Sequence, residues 1–227
     1  MRFLPKKLYT GCKMIKIPAS PSVRRLPSYL HIIRQAHIDG YEYISGTIIA
    51  QELQLEPIQV RKDLAITGIV GKPKRGYPVV ALISAIEHFL GWDNKNKAII
   101  VGAGNLATAL TGYSEFEFHG LEFVCAFDTD PEKIGKKIHG VPIYSMASIK
   151  TQVKKLNAAI AIITVPSQFA QETADMVVET GIKAIWNFTN VKLTLPKGVV
   201  SQREDLTSGY AMLSVQMIFD KEKRVLE

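Results

Sequence analysis

A short run of small residues, Gly102-Ala103-Gly104-Asn105-Leu106-Ala107, follows the apolar segment Ala98–Val101 in the pattern G-x-G-x-x-A. Its first glycine permits a tight turn, its second lets backbone amides approach a pyrophosphate, and the last small residue allows a helix to pack closely on a strand. A helix that begins near Asn105 would point its positive end at phosphate groups. The run therefore indicates a dinucleotide-binding turn. Small residues are common where strands meet helices, so this interpretation depends on the residues that follow.

Asp128 supplies a second feature of such a site. It lies 21 residues after Ala107, directly after the predicted strand Glu122–Phe127. A carboxylate at this place accepts hydrogen bonds from adenosine ribose hydroxyls and repels a 2′-phosphate, so the spacing favours NAD(H) over NADP(H). The alternative role is that of a turn or cap residue. Asp130 fits that role better, because Asp130-Pro131-Glu132 is typical of a helix start.

No general acid or base follows the predicted strands. A dehydrogenase needs such a group beside the nicotinamide, but the predicted strand Lys183–Asn187 continues into Phe188-Thr189-Asn190. His119 and His139 fall in polar turns, with no neighbouring residue that suggests catalysis. We therefore expect a domain that binds a dinucleotide without transforming it, and no enzyme activity.

The cysteine content and hydropathy exclude several classes of protein. Cys12 and Cys125 lie far apart and belong to no Cys/His cluster, so we expect neither a disulfide scaffold nor a metal site. No apolar run reaches the roughly 20 residues that a membrane helix needs, and the basic N-terminus lacks the apolar segment of a secretory signal. We expect a protein of the reducing cytoplasm.

Apolar strands alternate with amphipathic helices after the polar segment Gly91–Lys97. Continuous apolar strands with helical crossovers predict a parallel sheet covered on both faces, which is an α/β fold of the Rossmann type. The predicted strands are Ala98–Val101, Glu122–Phe127, Ala158–Val165 and Lys183–Asn187. The predicted helices are Leu106–Tyr113, Met146–Leu156, Ser167–Thr180 and Tyr210–Leu226.

The first part of the chain holds the whole net charge of +7. Residues 1–95 contain 14 Lys and Arg against 7 Asp and Glu, whereas residues 96–227 are neutral. A basic module joined to a neutral one indicates an anionic partner for the first module only. The alternative is a solvated basic surface.

The basic part has a helical pattern with a helix-turn-helix at its centre. The predicted helices are Pro21–Asp39, Thr47–Leu53, Pro57–Thr67 and Val79–Leu90. In the third helix, Val60 and Leu64 should face inward, which leaves Gln59, Lys62 and Asp63 facing outward. Outward polar side chains at the start of such a helix can contact base edges and phosphates. The alternative is a small helical subdomain with a solvated loop.

A basic loop, Lys72-Pro73-Lys74-Arg75, precedes the fourth helix. It could lie along a phosphate backbone as a wing. The helix-turn-helix and this loop fit double-stranded DNA as the partner of this part of the chain, and they fit a helical subdomain with a solvated loop equally well. The expected DNA-binding residues are Ser45, Gln59, Arg61, Lys62, Lys72, Lys74 and Arg75.

Residues 17–213 closely resemble the Rex family of redox-sensing transcriptional repressors, which respond to NADH and NAD+. Several independent motifs occur in the family order, and together they are highly specific. These motifs are Arg25-Leu26-Pro27-Ser28-Tyr29-Leu30, Val60-Arg61-Lys62-Asp63-Leu64, Gly102-Ala103-Gly104-Asn105-Leu106, Ala126-Phe127-Asp128, Asp130-Pro131-Glu132-Lys133-Ile134-Gly135-Lys136, Val165-Pro166, Ala170-Gln171-Glu172, Gly181-Ile182-Lys183-Ala184-Ile185 and Asn187-Phe188.

The resemblance implies a winged-helix DNA-binding domain over residues 1–92 and a Rossmann NAD(H)-binding domain over 93–209. A C-terminal helix over 210–227 would be exchanged between the subunits of a homodimer. The dimer would bind a palindromic operator and leave it when NADH binds. The implied cofactor site comprises Gly102, Ala103, Gly104, Asn105, Leu106, Ala107, Tyr113, Asp128, Thr129, Asp130, Lys133, Thr164, Val165, Pro166, Asn187 and Phe188.

The sequence departs from the family pattern at a few places. Ala107 replaces the usual third glycine, and His31 stands where the family has an arginine. In relatives that arginine connects to positions like Tyr113 and Asp205, and Arg34, one turn later, could replace it. Two other functions remain open. One is a small NAD-dependent oxidoreductase, and the other is a CoA- or nucleotide-binding subunit like that of succinyl-CoA ligases.

Overall fold

A computed structural model describes residues 19–226, and Cys12 lies outside them. The chain divides between Asp93 and Asn94 into two compact units, within the polar segment Gly91–Lys97. No helix among the described residues is both long and apolar enough to cross a membrane.

The first unit consists of helices around a two-stranded antiparallel ribbon. Its elements are α1 (Ser20–Ile38), β1 (Tyr43–Ile44), α2 (Gly46–Glu52), α3 (Pro57–Ala65), β2 (Tyr77–Pro78) and α4 (Val79–Leu90). A proline in the first turn starts α1 and another starts α3, as expected for a residue with a fixed φ and no N–H. Gly91, with a φ of +72°, ends α4 in the left-handed conformation that glycine adopts without strain.

Apolar side chains from all four helices form the core of the first unit. Each helix contributes residues at helical spacing, so one face of each is covered. The largest fully buried members are Leu26, Tyr29, Leu30 and Ile33 of α1, Ile49 of α2, Leu64 of α3, and Leu82 and Ile86 of α4. The predicted helices are all present, with bounds that differ by no more than two residues.

The second unit is a seven-stranded sheet with helices. Its strands are β3 (Asn96–Val101), β4 (Leu121–Asp128), β5 (Lys137–Ile138), β6 (Val141–Ser145), β7 (Ile160–Ile163), β8 (Ala184–Asn187) and β9 (Val200–Arg203). Its α-helices are α5 (Asn105–Thr111), α6 (Ser114–Phe118), α7 (Ile149–Leu156), α8 (Ala170–Glu179) and α9 (Ser208–Leu226).

The strand order is β5-β6-β4-β3-β7-β8-β9, and every neighbouring pair is parallel except β5–β6. From β6 to β9 this is the order of the doubly wound dinucleotide-binding fold. In that fold the order reverses between the first and fourth strands, and ligands bind in the crevice at this switch point. Here the switch point lies between the carboxyl ends of β3 and β7.

Strands β5, β6 and β9 were not predicted. β5 has only two residues, β6 (VPIYS) is short and contains a proline, and β9 (VSQR) is exposed along its whole length at the sheet edge. Their pairing partners, rather than any apolar run, make them strands. The helix start predicted at Asp130-Pro131-Glu132 was wrong. This segment is a turn, in which the Glu132 backbone N–H donates to Asp130 Oδ1 at 2.9 Å.

Candidate functional site

Gly102 follows β3 at the switch point and has a φ of +97°. A Cβ at this position would come within 3.0 Å of the Thr164 carbonyl carbon and oxygen, so the close approach of the two strand ends requires glycine. The Thr164 hydroxyl donates to the carbonyl oxygens of Gly102 and Val101, at 2.8 and 3.0 Å. These contacts hold the ends of β3 and β7 together at the floor of a crevice.

Gly104 precedes α5, and no atom lies within 4 Å of the place that a Cβ would occupy. The backbone there is open to the crevice, as a pyrophosphate site requires. Ala107 is fully buried and packs α5 against the sheet, which is the role predicted for a small residue at this position. Asn105 is exposed at the start of α5 and does not line the crevice.

Asp128 ends β4 beside this turn. Its Oδ2 accepts from the backbone N–H of Ala103 at 2.8 Å and from Lys133 Nζ at 3.1 Å, and its Oδ1 accepts from the backbone N–H of Asp130 at 2.9 Å. Burial opposes the charge of the carboxylate, but these donors outweigh burial and hold the pKa of Asp128 below its usual value. An ionised carboxylate therefore faces the crevice and also braces the glycine turn.

The crevice has a volume of about 830 Å³, within the range of small-molecule sites. Most of the predicted cofactor residues line it. They are Gly102, Gly104, Leu106, Asp128, Thr129, Lys133, Thr164, Val165, Pro166 and Phe188.

Seven further lining residues were missed by the sequence analysis: Val101, Phe127, Met146, Phe169, Glu172, Thr173 and Met176. The last four have the spacing i, i+3, i+4, i+7 and begin just before α8, so they share one helix face. That periodicity, in the segment directly after a strand end at the switch point, is a signal that could have identified them.

Other predicted cofactor residues lie away from the lining. Ala103 and Asp130 contact Asp128 through their backbones. Asn187 is buried: its Nδ2 donates to the Val191 carbonyl oxygen at 2.9 Å, and its Oδ1 accepts from the N–H and hydroxyl of Thr189 at 2.9 and 2.8 Å. The Asn187 side chain therefore shapes the loop that follows β8.

Tyr113 is 56% exposed and reaches the crevice only through other rings. Its ring centroid lies 5.2 Å from that of Phe116, which lies 5.5 Å from Trp186, which in turn lies 4.8 Å from Phe188. Such edge-on and tilted aromatic pairs are favourable at these distances. The structure therefore connects Tyr113 to the lining residue Phe188 by a continuous line of packed rings.

A buried polar network in the first unit overturns one prediction for α3. Asp63, expected to face outward, is completely buried. Arg25 donates to it through Nε at 2.7 Å and Nη2 at 3.1 Å, the Tyr29 hydroxyl donates at 2.7 Å, and Gln59 Nε2 donates at 2.9 Å. The expected outward position of Gln59 is corrected too, because its amide is half-buried and directed to Asp63.

The network also sets the charge of Asp63. Burial opposes ionisation, but hydrogen bonds from Arg25, Tyr29 and Gln59 lower the pKa of Asp63 from 3.8 to about 2. Burial and the bond to Asp63 raise the pKa of Tyr29 to about 12. A carboxylate on α3 is thereby paired inside the unit and removed from the surface, while Arg61 and Lys62 remain exposed.

The predicted wing is ordered around Tyr43, which the sequence analysis missed. Lys72 Nζ donates to the Tyr43 hydroxyl at 2.9 Å, and the Arg75 guanidinium lies 4.2 Å from the centroid of the ring. The bond from Lys72 lowers the pKa of Tyr43. Lys74 is exposed at the tip with a φ of +61°. Two cations of the loop, Lys72 and Arg75, are therefore held in place by the Tyr43 side chain.

Two further residues have local partners. The Ser45 Oγ caps α2 by accepting from the Ile48 backbone N–H at 3.2 Å. Arg34, the expected replacement for the family arginine at position 31, donates through Nη2 to Glu87 Oε1 of α4 at 2.7 Å. Among the side chains that the structure describes, those of residues 19–220, no three His, Cys, Asp or Glu are grouped so that they could hold a metal ion.

Family profiles match both units. The profile described as a CoA binding domain matches residues 93–191, and the one described as a putative DNA-binding protein N-terminus matches residues 16–65. Among solved structures, RSP, a Rex-family repressor, superposes with a TM-score of 0.83 at 29% identity, covering 93% of this chain and 99% of RSP. RSP bound to β-NAD+ and operator DNA gives 0.82 at 30% identity, covering 93% and 97%. RSP bound to β-NADH gives 0.82 at 29% identity, covering 95% and 100%.

Similar sequences cover nearly the whole chain. The redox-sensing transcriptional repressor Rex of Treponema denticola is 62% identical over 202 residues, which are 89% of this chain and 96% of that protein. The Rex repressor of Bacteroides thetaiotaomicron is 37% identical over 208 residues, covering 92% and 94%. With this degree of identity over both units, the chain belongs to the Rex family of redox-sensing transcriptional repressors, which are not enzymes.

Proposed function

We propose that this protein is a homodimeric repressor that binds a palindromic operator through its first units and leaves DNA when NADH enters the crevice of its second units. The observation that carries the proposal is the crevice itself, where an ionised Asp128 stands beside an open glycine turn. The RSP complexes with β-NADH and with β-NAD+ and operator DNA support it by similarity. A repressor of this kind would act in the cytoplasm, where operator DNA and NADH are both present.

In this proposal the pyrophosphate lies on the glycine turn, against the open backbone at Gly104, and the adenosine ribose binds to Asp128. The nicotinamide lies at the end of the crevice formed by Val165, Pro166 and Phe188. An uncharged reduced ring can be buried against these apolar side chains at less cost than the cationic oxidised ring. This difference makes NADH the stronger effector.

DNA binding is assigned to the cations of the first unit. Arg61 and Lys62 on α3 would contact bases and phosphates, and Lys72, Lys74 and Arg75 of the wing would contact the phosphate backbone. Ser45 can still donate its own hydroxyl hydrogen to a phosphate. Gln59 is left out of this set because its amide is bound to Asp63.

The dimer is assigned to α9. Several large apolar side chains of this helix are about half exposed or more: Tyr210, Met212, Leu213, Val215, Met217, Ile218 and Phe219. An apolar surface of this extent on a helix is typical of a protein–protein interface. A second copy of the same helix and sheet would cover it.

The test is a titration of a protein–DNA complex, with DNA selected by the protein from a random pool, against NADH, NAD+ and CoA. We expect NADH to release the DNA at a far lower concentration than NAD+. CoA should have no effect, because its ribose 3′-phosphate would meet Asp128. An Arg61→Ala/Lys62→Ala variant should bind NADH normally but bind the DNA more weakly by about 1–3 kcal/mol. If NADH binds while the DNA affinity stays unchanged, the proposed sensor function is wrong.

A further inference from the structure

The exposed face of α3 carries an apolar side chain one turn before two cations. Ile58, Arg61, Lys62 and Ala65 are all exposed, and their spacing of i, i+3, i+4, i+7 puts them on one side of the helix. The opposite side holds the buried residues Val60, Asp63 and Leu64. Ile58 stands in the first turn of α3 with 61% of its surface exposed.

The first turn of α3 is the place where a recognition helix contacts base edges. The amide of Gln59, which could hydrogen-bond an adenine, is bound to Asp63 Oδ1 at 2.9 Å. Ile58 is therefore the exposed side chain of this turn that faces away from the core. An aliphatic side chain can neither donate nor accept a hydrogen bond, and the apolar feature of the major groove is the C5-methyl group of thymine.

We propose that Ile58 is a specificity-determining residue that contacts a thymine C5-methyl group in each half of the operator. This inference rests on the proposed DNA-binding function. Its neighbours on the helix face argue for DNA rather than a protein as the occupant. Arg61 and Lys62 lie one turn after Ile58, and residues 1–95, to which α3 belongs, hold the whole net charge of +7. The cations bind the phosphates and bases around the methyl group that Ile58 covers.

The experiment uses the full chain and a DNA fragment that it selects from a random pool without NADH. Each thymine of the fragment is replaced in turn by uracil, which lacks the methyl group and keeps the hydrogen-bonding edge. In each half-site we expect one particular thymine to matter. Replacing that thymine in one half-site should weaken DNA binding about fourfold, which is the effect of one buried methyl group. Replacing both should weaken binding about fifteenfold, if the two half-sites contribute independently.

Two substitutions of Ile58 assign the effect to this residue. Ile58→Ala should bind the thymine fragment more weakly and no longer distinguish thymine from uracil at that position. Ile58→Val, which keeps most of the aliphatic surface, should retain part of the difference. The matched control is Ile38→Ala, because Ile38 is 76% exposed at the end of α1 and has no part in the proposed interface; it should behave as the unchanged protein.

The outcomes separate this inference from the proposed function. If the pool yields no preferred sequence, sequence-specific DNA binding fails and the role of Ile58 fails with it. If a preferred sequence is found but no uracil replacement weakens binding, or if Ile58→Ala retains the full thymine preference, the role of Ile58 is overturned and the repressor function stands.

Discussion

At the scale of single residues, Asp128 has two roles, because it braces the glycine turn through Ala103 and faces the crevice as an anion. Asp128→Ala should weaken NADH binding roughly ten- to a hundredfold, the effect of losing hydrogen bonds to a charged group. It should also narrow the preference for NADH over NADPH, because the charge that repels a 2′-phosphate is gone. Calorimetry with both nucleotides measures the two affinities.

Lys133 provides the control for this variant. Its Nζ lies 3.1 Å from Asp128 Oδ2, and in Asp128→Ala it becomes available to a 2′-phosphate. Asp128→Ala/Lys133→Ala should therefore bind NADPH more weakly than the single variant does. Equal affinity of the unchanged protein for NADH and NADPH would contradict the role of Asp128.

Asp63 makes the stability of the first unit depend on pH. Its pKa in the folded protein is about 2, below the value near 4 of an unfolded chain. The ionised carboxylate therefore contributes stability that is complete above about pH 4 and is lost as the pH falls through about 2. We expect this loss to reach on the order of 2 kcal/mol in the free energy of unfolding.

Urea denaturation between pH 5 and pH 2, followed by circular dichroism, measures this dependence. Asp63→Asn cannot ionise, so it should be less stable near neutral pH, where Arg25 has lost its charged partner, and its stability should change less between pH 4 and pH 2. If the free energy of unfolding falls equally between pH 4 and pH 2 in both proteins, Asp63 is not ionised in the predicted way.

At the scale of secondary-structure elements, α9 has a row of large apolar side chains that remain exposed in the single chain. Deleting residues 210–227 should convert the dimer into a monomer, because the exposed side chains Met212, Ile218 and Phe219 are removed with it. Light scattering of the truncated and complete chains checks the oligomeric state. NADH binding serves as the folding control, because the crevice residues all lie before α9. An unchanged dimer after the deletion would assign the interface to another element.

At the scale of the whole molecule, a sensor requires that NADH and operator bind preferentially to different states of the dimer. Half-sites one helical turn apart demand recognition helices spaced by about 34 Å, and NADH must favour an arrangement that lacks this spacing. Because the coupling between two ligands is reciprocal, the operator must weaken NADH binding by the factor by which NADH weakens operator binding, typically about 5- to 150-fold. Measuring both factors on the same protein tests this prediction, and unequal factors would show that the two ligands do not share one equilibrium.

Features that depend on short, local spacing could be predicted from the order of the residues. The glycine turn, Asp128 at the end of the following strand, and the helix periodicities of both units are each encoded within about thirty residues. Propensity and steric limits act over that range, so the helices of the first unit, four central strands of the sheet, the glycine turn and Asp128 could be predicted from the residues themselves. Most of the other predicted lining residues came from the resemblance to the Rex family. The motifs also identified the family.

Which polar side chains are buried inside the fold depends on contacts between segments that are distant in the sequence. Arg25 and Asp63 are 38 positions apart. Nothing in the sequence of α3 shows that the Asp63 carboxylate turns inward to bind Arg25 and Tyr29 of α1. The same holds for the strands β6 and β9, which form through pairing with other strands, and for the face of α8 that lines the crevice. The physical reason is that a buried polar group is stable only with its partner, and packing between distant segments chooses that partner.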